Sequence, residues 1–221
     1  MPSPFLKAWE AFEHAYPRPT RVRMIRYWPW EQFSKLVMAP DFDFVWNIVM
    51  TLYAGDVYII QDVFPKEFMQ RIKQEAFQYG QSSPSSFHKM LEGTPDFHRV
   101  IDLETGKKYS FNVCKHSSFF YPWNNDPLQL FNTVYERWRV IKFLMGLDAT
   151  EYEHNRPRDG VVDRIQIAQY PSRIGFLEPH SDPYLHQRLF LSGYMTKRGV
   201  DYQGGGFYLV GRDNEVIEAE N

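Results

Sequence analysis

The chain has 221 residues, 25 basic against 27 acidic side chains for a net charge of −2, and 17% aromatic content. That near-neutral balance offers no global electrostatic footprint for nucleic acid, and no run of about 18 apolar residues exists to cross a membrane. The single cysteine, Cys114, excludes an internal disulfide and fits a reducing cytoplasm.

At the N-terminus no leader pattern is evident, because no continuous apolar stretch succeeds positive charge. Ser3-Pro4 reads as an N-cap and first-turn pair opening an amphipathic helix through Phe5, Trp9 and Phe12, which Pro17 and Pro19 end. The basic run Arg18, Arg21, Arg23 and Arg26 reads as a solvated face. A short helix is expected over Trp30 to Met38. The segment Asp43 to Leu52 stays open between helix and strand. Asp56 to Val63 reads as a strand, leading into a helix from Pro65 to Tyr79 that Gly80 stops.

Gln81 to Ser86 reads as a flexible loop, and residues 107 to 114 as a strand. Asp126-Pro127 is expected to cap a long helix to Leu144, closed by Gly146. Its stripe of Leu130, Val134, Trp138, Ile141 and Met145 should bury a flank of the sheet. The aromatic run Phe119 to Trp123 fits core packing better than a cleft mouth. No internal repeat or low-complexity tract is present.

The last quarter carries the chemistry. Asp163 to Tyr170 alternates, with Ile165 and Ile167 on one face and Gln166, Ala168 and Tyr170 on the other, which reads as a strand with one dry and one polar face. Ten residues after Tyr170 comes His180-x-Asp182. On a strand, positions i and i+2 share a face, so an imidazole and a carboxylate can address one metal. Bare His-x-acid spacing is weak: with seven histidines and 27 acidic residues, about one instance arises by chance. The segments C-terminal to the pair add weight. They comprise a β-type run from Arg188 to Met195, a turn at Lys197 to Gly199, the glycines Gly204 to Gly206 and a strand over Phe207 to Val210. A turn at Asp213-Asn214 then leads to a strand over Glu215 to Glu220.

Tyr170, His180/Asp182, Tyr194 and Gly205-Gly206-Phe207-Tyr208-Leu209 together resemble the core of the Fe(II)/2-oxoglutarate-dependent dioxygenases, in particular the prolyl-hydroxylase-like branch. The resemblance covers roughly residues 160 to 221. It implies an α+β chain with a double-stranded β-helix (jelly-roll) core over 56–221, incomplete at its C-terminal end, and an N-terminal helical segment over 1–55. It also implies Fe(II) held by His180 and Asp182, and 2-oxoglutarate contacted by the hydroxyls of Tyr170 and Tyr194. The activity implied is oxidation of a C–H bond in a small molecule or a side chain. The family's second histidine and its 2-oxoglutarate-binding arginine are expected on strands after the matched region. Arg188 shares strand parity with Tyr194 and is a weaker anion-binding candidate. His116, His154 and His186 are less suited as a third ligand. The competing expectation is a catalytically silent jelly-roll module that binds a ligand or partner; a cupin is disfavoured for want of a His-x-His pair.

Overall fold

The computed structural model describes residues 3–153, 156–157, 160–181 and 187–219. Among them lie six helices and eight strands in a mixed α/β arrangement. The strands form three separate sheets and do not close into a barrel. None of the described helices is long and apolar enough to cross a membrane. Two compact units emerge, one from residues 1–65, 135–150 and 187–221, the other from 66–134 and 151–186.

The first unit opens with helix α1 (Phe5–Ala15). Ser3 does not cap it: the Ser3 hydroxyl donates to the Phe143 carbonyl at 2.6 Å, tying the chain start to another helix. Strand β1 (Met24–Pro29) runs parallel to β2 (Asp56–Gln61), Met24 opposite Asp56. A parallel pair needs a long crossover, supplied by α2 (Trp30–Met38) and α3 (Phe42–Tyr53). The segment left open between helix and strand is helical. Asp41 caps it, its carboxylate accepting from the Phe44 amide at 2.7 Å. The polar residues Asp43, Asn47 and Thr51, four apart, share one face of that helix, Asp43 and Asn47 exposed and Thr51 half-buried against the Tyr58 hydroxyl.

Helix α6 (Phe131–Leu144) starts five residues after Asp126, whose two carboxylate oxygens accept from the amides of Leu130 and Phe131 at 2.7 and 3.0 Å. It closes as a Schellman turn: Leu147 donates to Lys142 and Gly146 to Phe143, both at 3.0 Å, with Gly146 at φ +86°. Its apolar stripe packs into a helical core rather than onto a sheet. Val140, Ile141, Leu144 and Met145 meet Phe5, Trp9, Phe33, Val37, Ile48 and Val49, and the Trp9 indole donates to the Leu144 carbonyl at 2.8 Å. Strands β7 (Tyr208–Val210) and β8 (Val216–Glu218) pair antiparallel at the expected places.

One charge organises the β1–β2 pair. The Asp56 side chain is shielded from water, and its carboxylate accepts from Arg23 (Nε 2.5 Å, Nη2 2.8 Å) and Arg26 (Nε 2.5 Å). Burial alone would raise this carboxyl; the arginine hydrogen bonds outweigh it and hold the group below its usual value. Two members of the basic run are therefore internal partners rather than a solvated face.

In the second unit α4 (Lys66–Ser82) passes through Gly80 without stopping. A Cβ on Gly80 would come within 2.9 Å of the His98 ring, so the glycine serves helix-on-sheet approach. Strands β3 (Phe97–Ile101), β4 (Val113–Phe120) and β5 (Ile165–Gln169) form an antiparallel sheet. The strand expected over 107–114 begins only at Val113. Before β4, Asp102 caps the short helix α5 (Leu103–Gly106), and Gly106 packs against the Val113 carbonyl. His98, buried, lies opposite Ser118, with Nδ1 at 2.9 Å from its hydroxyl and the His116 ring 6.0 Å away. Phe119, Phe120 and Tyr121 are buried, Tyr121 stacking on Phe97 and Trp123, so this part of the aromatic run is core while Trp123 is only partly buried.

These buried groups make two measurable differences to stability. Asp56→Ala leaves two guanidinium groups facing each other and should cost about 2–4 kcal/mol, reduced from the full buried-pair range because the arginines are about one-third exposed; a drop in the urea midpoint measures it. Burial, then His116, lowers the His98 pKa, so the unfolded chain takes up this proton first. Stability is complete above about pH 6.5 and is lost as pH falls below it. Tm should fall between pH 7.5 and 5.5, and His98→Asn should flatten that slope.

Candidate metal centre

The segment that carries His180 is built by extension of a strand pair. Strand β6 (Phe176–Leu177) joins β4 on the same edge as β5, Val113 opposite Leu177. Between β5 and β6 the register shifts, because the turn from Tyr170 to Gly175 loops out, closed by the Gly175 amide on the Pro171 carbonyl at 2.7 Å. Beyond β6 the pairing continues through side chains. The Glu178 amide donates to the Asn112 carbonyl at 3.1 Å, and the Glu178 carboxylate accepts from the Asn112 side-chain and backbone N–H groups at 2.6 and 2.8 Å. Those hydrogen bonds, the side-chain one first, hold the Glu178 carboxyl below its usual value.

His180 comes directly after this clamp. Its ring lies parallel to Phe111 with centroids 4.4 Å apart and planes 19° apart. Its Nδ1 is 2.9 Å from the Glu178 carbonyl. A carbonyl oxygen only accepts, so Nδ1 carries the hydrogen and the neutral ring has its lone pair on Nε2. A second ring nitrogen fixed on a carbonyl is how protein imidazoles are held for metal ligation. The expectation that the motif lies within a strand is corrected: β6 ends at Leu177, before Pro179, and His180 is an exposed residue beyond it. Asp182 lies outside the described residues, as do His154 and His186. Among the described residues no three His, Cys, Asp or Glu side chains are grouped to hold a metal ion. Of the expected ligand pair only His180 falls among the described residues, and those residues do not complete a set.

Tyr170 sits one residue past β5, in the looped-out turn, 45% exposed, and partial burial raises its hydroxyl pKa. It is therefore a protonated donor throughout the neutral range. Tyr194 is half exposed and packs on Phe207 with ring centroids 5.3 Å apart and planes tilted by 49°. Tyr170 and His180 belong to the second unit, Tyr194 to the first. The expected strand from Arg188 to Met195 is not formed. Arg188 is instead drawn into the helical core: it forks onto both Glu13 oxygens at 2.7 and 3.0 Å and donates to the Met145 carbonyl at 2.9 Å. His116 sits in β4 beside His98, away from strand ends.

Asp96, which the sequence reading did not single out, lines an open pocket of about 320 Å³ in the second unit together with Trp123 and Asn124, from the aromatic run and turn weighed between core packing and a cleft mouth. No family model matches the chain, and no curated protein or solved structure is significantly similar to it.

The bidentate geometry at Arg188 gives a direct check on its role. Arg188→Lys keeps the charge and loses the fork, so it should lower the urea midpoint by about 1 kcal/mol of stability. An unchanged midpoint would restore Arg188 as a candidate for ligand binding.

Proposed function

We propose that this chain is an Fe(II)- and 2-oxoglutarate-dependent oxygenase acting on a C–H bond of a small molecule or a side chain, on a jelly-roll type of core to which β3 to β6 belong. The supporting observation is the preset imidazole of His180, its Nδ1–H on the Glu178 carbonyl and its ring against Phe111. With the Tyr170, His180-x-Asp182, Tyr194 and Gly205-Gly206 pattern, this favours His180 and Asp182 as the iron ligands. Iron with 2-oxoglutarate supplies oxygen-dependent C–H oxidation coupled to loss of carbon dioxide and formation of succinate.

The chain's own residues hold and orient. Asn112 locks Glu178, Glu178 presents the carbonyl that sets the His180 tautomer, and Phe111 fixes the ring plane. Tyr170, in the same unit as His180, would donate a phenolic hydrogen bond to the 2-oxoglutarate carboxylate; its raised pKa keeps its proton in place. Cys114 is buried and unpaired, in keeping with a reducing cytoplasm.

The test is anaerobic titration with Fe(II) and 2-oxoglutarate, monitored by the weak visible charge-transfer band of chelated iron. Wild type should develop the band and His180→Ala should not. Phe111→Ala, which keeps the ligand but frees its ring, should raise the Fe(II) needed for half the band by roughly tenfold. If wild type yields no band and, once dioxygen is admitted, no succinate, the oxygenase reading is wrong and a ligand-binding module takes its place.

A further inference from the structure

Among the described residues the Asp56 and Asp163 side chains are buried and Asp96 is half-buried, and the surroundings of Asp56 and Asp96 differ in sign. Asp56 is met by two arginines. Asp96, half-buried ahead of β3, is met by no cation among the described residues. Its Oδ1 accepts from the Tyr121 amide at 2.9 Å and from the Asn124 side-chain amide at 2.7 Å; Oδ2 has no protein partner among them. The charge that acts on it is a second carboxylate, Asp126, which raises its carboxyl further. A partly desolvated carboxylate without counter-charge costs stability, and where it lines a cavity it marks a functional site.

The rest of the wall suits the missing charge. Trp123 lines the cavity beside Asp96, with Asn124, Asn125 and Pro127. Its indole is immobilised: one face stacks on Tyr121 at 4.9 Å and Nε1 donates to the Thr94 carbonyl at 2.7 Å. Asn124 donates to that carbonyl as well, at 3.1 Å, so its side-chain oxygen is left as a further acceptor. A rigid tryptophan, a carboxylate oxygen and an amide oxygen together recognise an ammonium group, through ion pairing, hydrogen bonding and cation–π attraction.

We propose that the cavity lined by Asp96, Trp123, Asn124, Asn125 and Pro127 binds a primary ammonium group, with Asp96 Oδ2 as its counter-charge. This site is independent of the iron reading and uses none of its residues. The ammonium can belong to a free alkylamine or to a lysine side chain, and the test separates the two.

The probes are butylammonium, N-acetyl-lysinamide and, as the neutral isostere, 1-butanol. Each is titrated into ¹⁵N-labelled full chain while the Trp123 indole N–H resonance, assigned through Trp123→Phe, is monitored. Butylammonium should shift that resonance saturably with an affinity of the order of millimolar, and 1-butanol should not. A matching shift with N-acetyl-lysinamide assigns the source to lysine side chains; its absence assigns a free amine. Asp96→Asn keeps an oxygen for the Tyr121 and Asn124 donors and should weaken butylammonium binding roughly tenfold or more, with the circular dichroism spectrum unchanged. Should that variant not fold, the wild-type pH series decides. Facing Asp96 are Asp126, Tyr79 and Tyr121, the last bonded to Arg164; burial raises the Asp96 carboxyl, so binding should fade on acidification before ordinary carboxylates titrate. Equal shifts from 1-butanol, undiminished binding in Asp96→Asn, or binding that ignores this pH range would overturn the proposal.

Discussion

Asp56 stands at the first position of β2 with its side chain out of contact with water, and three guanidinium N–H groups from Arg23 and Arg26 converge on it. The two arginines flank the start of β1, so the ion cluster fixes which residue of β1 meets which residue of β2. A slip of one position would turn a charge toward the apolar side of the pair. Gly55 lets the chain enter β2 at this point: its φ is +98°, and a Cβ there would lie 2.6 Å from the Arg21 carbonyl. With the parallel register set, the crossover through α2 and α3 has fixed ends, and Phe33, Val37, Val45, Ile48 and Val49 face the core they share with α1 and α6.

The second unit rests on β4, which has partners along one edge in two registers. β5 takes positions 116 to 120, β6 takes 113 and 114, and the excess chain between them is expelled as the turn that displays Tyr170. The same pairing continues through Asn112 and Glu178 to set His180 against Phe111. Both residues singled out in this unit therefore owe their positions to β4: Tyr170 to a register shift, His180 to the end of a ladder. Neither depends on its own local strand propensity, and this is why an exposed histidine can still have a determined ring plane.

Legibility in the sequence tracked the range of the interaction. α1 and α2 were readable because Phe5, Trp9, Phe33 and Val37 repeat at helical spacing, and β5 because Ile165 and Ile167 alternate with Gln166 and Ala168. α3 was ambiguous only while Asp43, Asn47 and Thr51 were counted as interruptions; their spacing of four is the polar face of a helix. Gly80 misled because a glycine that ends a helix and one that admits a neighbouring ring look alike until His98 is seen beside it. The segment after Gln187 has β-type composition, yet Arg188 is committed to Glu13, 175 residues earlier, and no pattern within the segment shows that. Strands β1 and β3 went unread for the same reason: Arg23, Arg26 and His98 look like surface residues until Asp56 and Ser118 are placed opposite them.

Charge placement then separates scaffold from candidate chemistry within one chain. Arg188 with Glu13, and Arg23 and Arg26 with Asp56, are matched pairs whose members satisfy each other, and such pairs fix geometry while leaving little for a ligand. Asp96 is different in kind. Burial pushes its carboxyl up, the neighbouring Asp126 adds to that and two N–H donors pull against it, with no cation beside it among the described residues. His180 is different again: its hydrogen bond to Glu178 and its stacking on Phe111 constrain orientation without neutralising a charge. An unmatched carboxylate beside a fixed indole, and an imidazole with a fixed tautomer, are the two groups on which the ammonium and oxygenase proposals rest. They reside in the same unit, and each suits a partner of the opposite chemical character: a cation that brings hydrogen-bond donors for Asp96, and an electron-pair acceptor for His180.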